Sequence, residues 1–180
     1  PMLRFCHIQE ITTAGWVEVN KYTEFYEDLY NVDTQIEARW ADIKGCDEET
    51  ISPLIQASFD IEVYSPDGAF PEPENDGCEV IQIATTFKRF GEKEPYLRHL
   101  ISLHSCTSID GVTLECYEDE ADVLNAWSYL IQRENPDILI GYNIWQFDFS
   151  YMYIRAKKTN AMDFYLIGRE KGEMSVMKTQ

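Results

Sequence analysis

A chain of 180 residues with 44% hydrophobic and 13% aromatic side chains has the material for roughly one to one and a half packed domains, and is no disordered tail. No apolar run approaches the roughly 20 residues that span a bilayer, so no membrane association is expected. Fifteen basic against 32 acidic residues leave a net charge of −17, which excludes gripping nucleic acid through diffuse positive charge. Any work on DNA or RNA must be local, or shared with further chain.

The five cysteines, Cys6, Cys46, Cys78, Cys106 and Cys116, form no Cys-x-x-Cys pair, which argues against a zinc site or a disulfide framework and for a reducing, intracellular setting. The N-terminus has neither an initiator Met nor the layout of a signal peptide, so the chain reads as a fragment of something longer.

In chain order, Leu3 to Ile11 is rich in strand formers and Trp16-Val17-Glu18-Val19 alternates, predicting a small β-containing segment. Asn20 to Thr50 is acidic and aromatic and reads as a connector, with a boundary near Pro53 that separates segments 1–53 and 54–180. Leu54 to Tyr64 follows as a strand, with Phe59, Ile61 and Val63 on one face and Asp60, Glu62 and Tyr64 on the other. A Pro/Gly/Glu-rich loop over 65–77 reads as merely flexible. Val80–Phe87, Tyr96–Leu103 and Val112–Tyr117 continue as strands, expected to be antiparallel.

The period then changes. Val123, Leu124, Trp127, Leu130 and Ile131 make a helical stripe within Glu118–Glu134, whose acidic start suits a helix N-terminus and which Asn135-Pro136 ends. Trp127 is predicted core. Asp137 to Tyr142 is a short apolar run of the kind buried on both faces in parallel sheets, and Phe147–Lys158 reads as a second helix with Arg155, Lys157 and Lys158 at its C-terminal end. A β meander followed by helix, strand and helix predicts an α/β fold in which a mixed sheet carries flanking helices.

Asp60 and Glu62 leave one face of a strand about 7 Å apart. Such a pair is ordinarily solvated surface. Two carboxylates facing the same space repel unless a cation lies between them, and hard oxygen ligands suit Mg2+ or Mn2+. Asp148 starts the helix after the buried strand, where sites form in open α/β sheets. Three convergent carboxylates suit a pair of ions about 3.5–4 Å apart that cleaves a phosphodiester.

Phe59-Asp60-Ile61-Glu62 resembles the first exonuclease motif of the family B DNA polymerases, and Asn143-Ile144-Trp145-Gln146-Phe147-Asp148 resembles their second, Asn-x-x-x-Phe-Asp. Val80–Phe87, Asn135–Asn143 and Gly15–Val19 resemble the delta-type branch, and the stretch around Glu92–Leu97 is most similar to versions from large DNA viruses. The resemblance implies a ribonuclease-H-like (DnaQ-like) 3′→5′ proofreading exonuclease domain, preceded by part of the polymerase N-terminal domain. It implies that Asp60 bridges two Mg2+ or Mn2+ ions, that Glu62 holds the ion activating water and that Asp148 holds the second. Asn143 and Phe147 would contact the single-stranded primer 3′ end.

The partners so implied are DNA, the remaining polymerase domains and a processivity factor, in the nucleus or at a cytoplasmic viral replication site. The family's third motif, with its Tyr and Asp, has no counterpart before Gln180, and the palm motifs are absent. The segment alone is therefore expected to bind metal weakly and hydrolyse DNA poorly. The competing readings are a stand-alone nuclease of the same superfamily and a non-catalytic, DNA-guiding module.

Overall fold

The computed structural model describes residues 2–12 and 14–177. Residue 1 and residues 178–180, the outer ends of the two expected segments, lie outside them. The chain divides between Ser52 and Pro53 into two compact units.

The first unit opens with helix α1 (Met2–Ile8), not with the expected strand. A short apolar run carries no reliable period, and Met2-Leu3-Arg4 are strong helix formers. The chain leaving α1 then docks on a strand edge, where Gly45 N–H donates to Gln9 C=O at 2.9 Å. A β-carbon on Gly45 would lie 2.1 Å from the Glu10 carbonyl oxygen, so only glycine permits this approach. Strand β1 (Val17–Val19) pairs with β4 (Ile43–Gly45), and β2 (Thr23–Glu24) pairs with β3 (Ile36–Glu37), both antiparallel. The region read as a connector is thus structured, through strands too short to leave a sequence period.

The second unit is a five-stranded mixed sheet with helices packed on it, the expected α/β fold, its strands lying side by side in the order 113–117, 97–103, 80–89, 55–63 and 138–140. Strands β5 (Ile55–Val63), β6 (Val80–Arg89) and β7 (Leu97–Leu103) form the antiparallel meander. Strand β8 (Thr113–Tyr117) departs from expectation by running parallel to β7. The nine residues 104–112 exceed a hairpin loop. Because β8 starts opposite His99, they need only recover about 13 Å of strand, well within a reach of about 30 Å.

Helix α2 (Glu120–Glu134) buries the predicted stripe, ending at Asn135 in the left-handed conformation. Trp127 is fully buried, and its indole N–H donates to Thr85 Oγ1 at 3.1 Å. Strand β9 (Ile138–Ile140) lies parallel to β5 as expected, but it is the sheet edge and is not buried on both faces. Leu139 packs on the core while Ile138 and Ile140 remain 36% and 44% exposed. The apolar run reports a capacity for burial, and only one face of this edge strand is covered.

Helix α3 (Asp148–Thr159) closes the layout. Arg155 does not serve its C-terminus as the sequence suggested. Buried, it donates through Nε to both carboxylate oxygens of Glu120 (2.8 and 3.1 Å) and through Nη1 to the carbonyls of Pro73 and Asn75 (3.1 and 3.0 Å). Glu120 also accepts the Val80 N–H at 2.8 Å, and Lys158 pairs with Asp76 at 2.6 Å. The Pro/Glu-rich loop read as flexible is therefore fastened to α3 and to the start of β6. Arg155→Leu takes the guanidinium away from the buried Glu120 carboxylate, and is expected to cost about 3–5 kcal/mol of stability. Denaturant unfolding measures it; a loss near zero would contradict the anchoring role of this pair.

Candidate active site

Strand β5 alternates as its sequence dictates, with Ala57, Phe59 and Ile61 buried and Ser58, Asp60 and Glu62 exposed. Asp60 stands opposite Ala84 on β6 and Glu62 opposite Gln82, so neither faces a cation across the ladder. A register shift follows Glu62 and ends the regular pairing beside the acidic pair.

The connection from β9 to α3 delivers the third carboxylate. β9 pairs with β5 only over Gln56–Ser58, which leaves the edge of β5 open further along. The helix enters there, and Asp148 Oδ1 accepts the Ile61 N–H at 3.2 Å. Asn143, at φ 56°, turns the chain, its carbonyl accepting the N–H groups of Gln146 and Phe147 at 3.1 and 3.0 Å. Asn and Asp tolerate this left-handed conformation better than other non-glycine residues, a physical reason for Asn at the head of the motif.

Gly141 is needed for the same approach. A β-carbon there would lie 2.8 Å from the Phe59 carbonyl oxygen and 2.2 Å from Ile144 Cγ2. Gly141→Ala is expected to push the turn off β5, destabilising the unit by about 1–3 kcal/mol and displacing Asp148. A thermal melt showing no loss would contradict this.

Asp148 is 1% exposed. Burial pushes its pKa above the ordinary aspartate range, and the charge of Asp60 adds to the rise. The N–H groups of Ile61 and of Asp148 itself oppose it, and none of these neighbours is a cation. Asp60 and Asp148, far apart in sequence, are thus brought within hydrogen-bonding reach of one another, and both that bond and the charge of Asp60 raise the Asp148 pKa; a divalent cation would favour the ionised pair. Glu62 stands on the same strand face, but among the described residues no three His, Cys, Asp or Glu side chains gather closely enough to hold an ion as they stand.

Aromatic rings border the carboxylates. Phe147, half-buried, packs against Tyr151 at 5.5 Å and Phe70 at 5.7 Å. Phe70, 73% exposed, comes from the fastened loop and had no signal in the sequence beyond being an aromatic among prolines.

Comparison with known proteins settles what this arrangement belongs to. The profile of the exonuclease domain of family B DNA polymerases matches residues 1–180. The chain belongs to this family. It is 39% identical over 156 residues to the DNA polymerase of Paramecium bursaria Chlorella virus NY2A, covering 87% of the chain and 17% of that protein. It is also 39% identical over 178 residues to the DNA polymerase delta catalytic subunit of Bos taurus, covering 94% of the chain and 16% of that protein. The DNA polymerase of Acanthamoeba polyphaga mimivirus is 32% identical over 157 residues, 86% of the chain and 9% of its own length. The chain thus spans about a sixth or less of these relatives. Among the described residues no helix is long and apolar enough to cross a membrane.

Proposed function

We propose that this chain is the 3′→5′ proofreading exonuclease region of a replicative DNA polymerase, preceded over residues 1–53 by part of the polymerase N-terminal domain. The observation that carries the reading is the meeting of Asp148 with Asp60 at the open edge of β5, two acidic side chains within hydrogen-bonding reach and no cation among the groups acting on Asp148. Membership of the family B exonuclease domain supports it. Asp60, Glu62 and Asp148 are the groups that would hold divalent cations, their hard oxygen donors fitting Mg2+ or Mn2+. When bound, two such ions supply Lewis acidity toward an attacking water and the departing 3′ oxygen.

The chain's own residues do the rest. The Ile61 N–H holds one oxygen of Asp148 and so fixes the carboxylate at the edge of β5. Asp60 and Glu62 repel the strand's phosphates until cations are present, which makes substrate binding dependent on ions. Asn143 shapes the turn before Asp148, and Phe147 offers a ring beside it for a single-stranded primer end. The rest of the polymerase, with a processivity factor, would supply the positive charge this acidic segment lacks, in the nucleus or at a viral replication site.

The test is release of nucleoside monophosphates from a 3′-labelled single-stranded oligonucleotide by the intact polymerase. Stepwise release that stops on chelation is expected; nucleotide addition without any release would contradict the proposal. That no three acidic side chains among the described residues gather closely enough to hold an ion suits a non-catalytic, DNA-guiding module as well, and the same assay separates the two.

A further inference from the structure

The turn between β9 and α3 leaves Trp145 74% exposed, yet its indole is not free to swing. It stacks on Phe149 with ring centroids 5.0 Å apart and planes 29° from parallel. Phe149 meets the Phe59 ring edge-on at 5.0 Å, and Phe59 packs on Trp127 at 4.9 Å in the core. Phe59 immediately precedes Asp60, and Phe149 immediately follows Asp148. One face of the indole is therefore packed on a column of rings that runs into the core; Phe59 leaves β5 on the face opposite Asp60, so the carboxylate nearest to Trp145 along the chain is Asp148.

Core packing accounts for the inner face of Trp145 only. A large apolar ring turned to water repels no flat ring laid on it and carries no charge of its own to hold an anionic phosphate, so a base is the part of a DNA strand it suits. Trp145 lies three positions before Asp148, at most about 10 Å of chain. A strand whose last phosphodiester reaches the carboxylates thus has its final bases close to the indole. Unpaired bases each offer a π-face whatever their identity, which suits a site that must remove any nucleotide.

We propose that Trp145 is a base-stacking residue of the exonuclease site, holding one of the last three bases of a single-stranded 3′ end. The proposal rests on the exonuclease reading above. It assigns Trp145 to substrate binding and not to the chemical step, so its removal acts on KM.

The test compares native, Trp145→Ala and Trp145→Phe forms of the intact polymerase in excising single-stranded oligonucleotides, including three in which the last, second or third base is missing. W145A is expected to raise KM about tenfold with kcat changed by less than about twofold, and W145F to restore most of the loss. At one abasic position the native and W145A enzymes should become equal, because the partner of the indole is gone. An unchanged KM, or a W145A effect of equal size at every abasic position, would overturn the proposal. If W145A also impairs nucleotide addition, W145F, which still covers Phe149, decides by the same two readouts. Excision by the native enzyme with no Trp145 effect sinks only this proposal, whereas no excision at all sinks the exonuclease reading beneath it.

Discussion

Asp60→Ala combined with Glu62→Ala in the intact polymerase is expected to lower excision of a mismatched 3′ end by on the order of 10³-fold or more, while nucleotide addition persists. Several kcal/mol of transition-state stabilisation depend on cations at such a site, and each 1.36 kcal/mol is about tenfold in rate. The fold should survive, because both side chains leave the exposed face of β5. A primer extension assay run beside the excision assay reads both activities. Equal loss of the two would mean that the acidic face supports the whole molecule and not the excision site.

The second large effect concerns Asp148, where activity and stability should move in opposite directions. Burial, and then the charge of Asp60, raise its pKa. An acid raised in the folded state favours the fold most when protonated. Its contribution is therefore full below the unfolded value, near ~3.9, and is lost as pH rises through the higher folded value. Wherever Asp148 is ionised, the ion-free protein carries a carboxylate that burial and the charge of Asp60 disfavour. Asp148→Asn keeps an oxygen to accept the Ile61 N–H and removes the charge. Thermal unfolding without divalent ions should show the variant melting above the native chain at pH 7, with the gap closing toward pH 4. Excision should fall by at least about 10²-fold, since a ligand for the ions is gone. A variant that melts below the native chain at pH 7 would show that the carboxylate stabilises the fold, against its assignment as a disfavoured charge awaiting a cation.

What the sequence made legible follows from physical periods. The two-residue alternation of β5 placed Asp60 and Glu62 on one face, and the stripe through Trp127 gave α2, because burial on a single face writes itself into spacing. Asp148 was legible through its place at a helix start after an apolar run. The parallel β7–β8 pairing was not, since direction depends on where residues 104–112 carry the chain and not on the strands' own residues. Helix α1 escaped because seven residues carry too little period to separate helix from strand. The exposure of Ile138 and Ile140 depends on neighbours in space, which a run of isoleucines cannot announce. Arg155 was misplaced for the same reason: its partner Glu120 lies 35 positions away, and the two meet only once α2 and α3 pack.

The site itself was legible in its donors and not in their arrangement. Sequence supplied three carboxylates; the fold brings Asp60 and Asp148 together and leaves Glu62 on the neighbouring stretch of the same face. The central claim is that divalent ions complete that gathering. Crystals of the intact polymerase grown with Mn2+ and a single-stranded oligonucleotide test it most directly, through the anomalous scattering of the metal. Two peaks about 3.5–4 Å apart, with Asp60 touching both and Glu62 and Asp148 one each, are the expected result. An exonuclease domain with the oligonucleotide bound and no anomalous density within reach of Asp60 and Asp148 would contradict it.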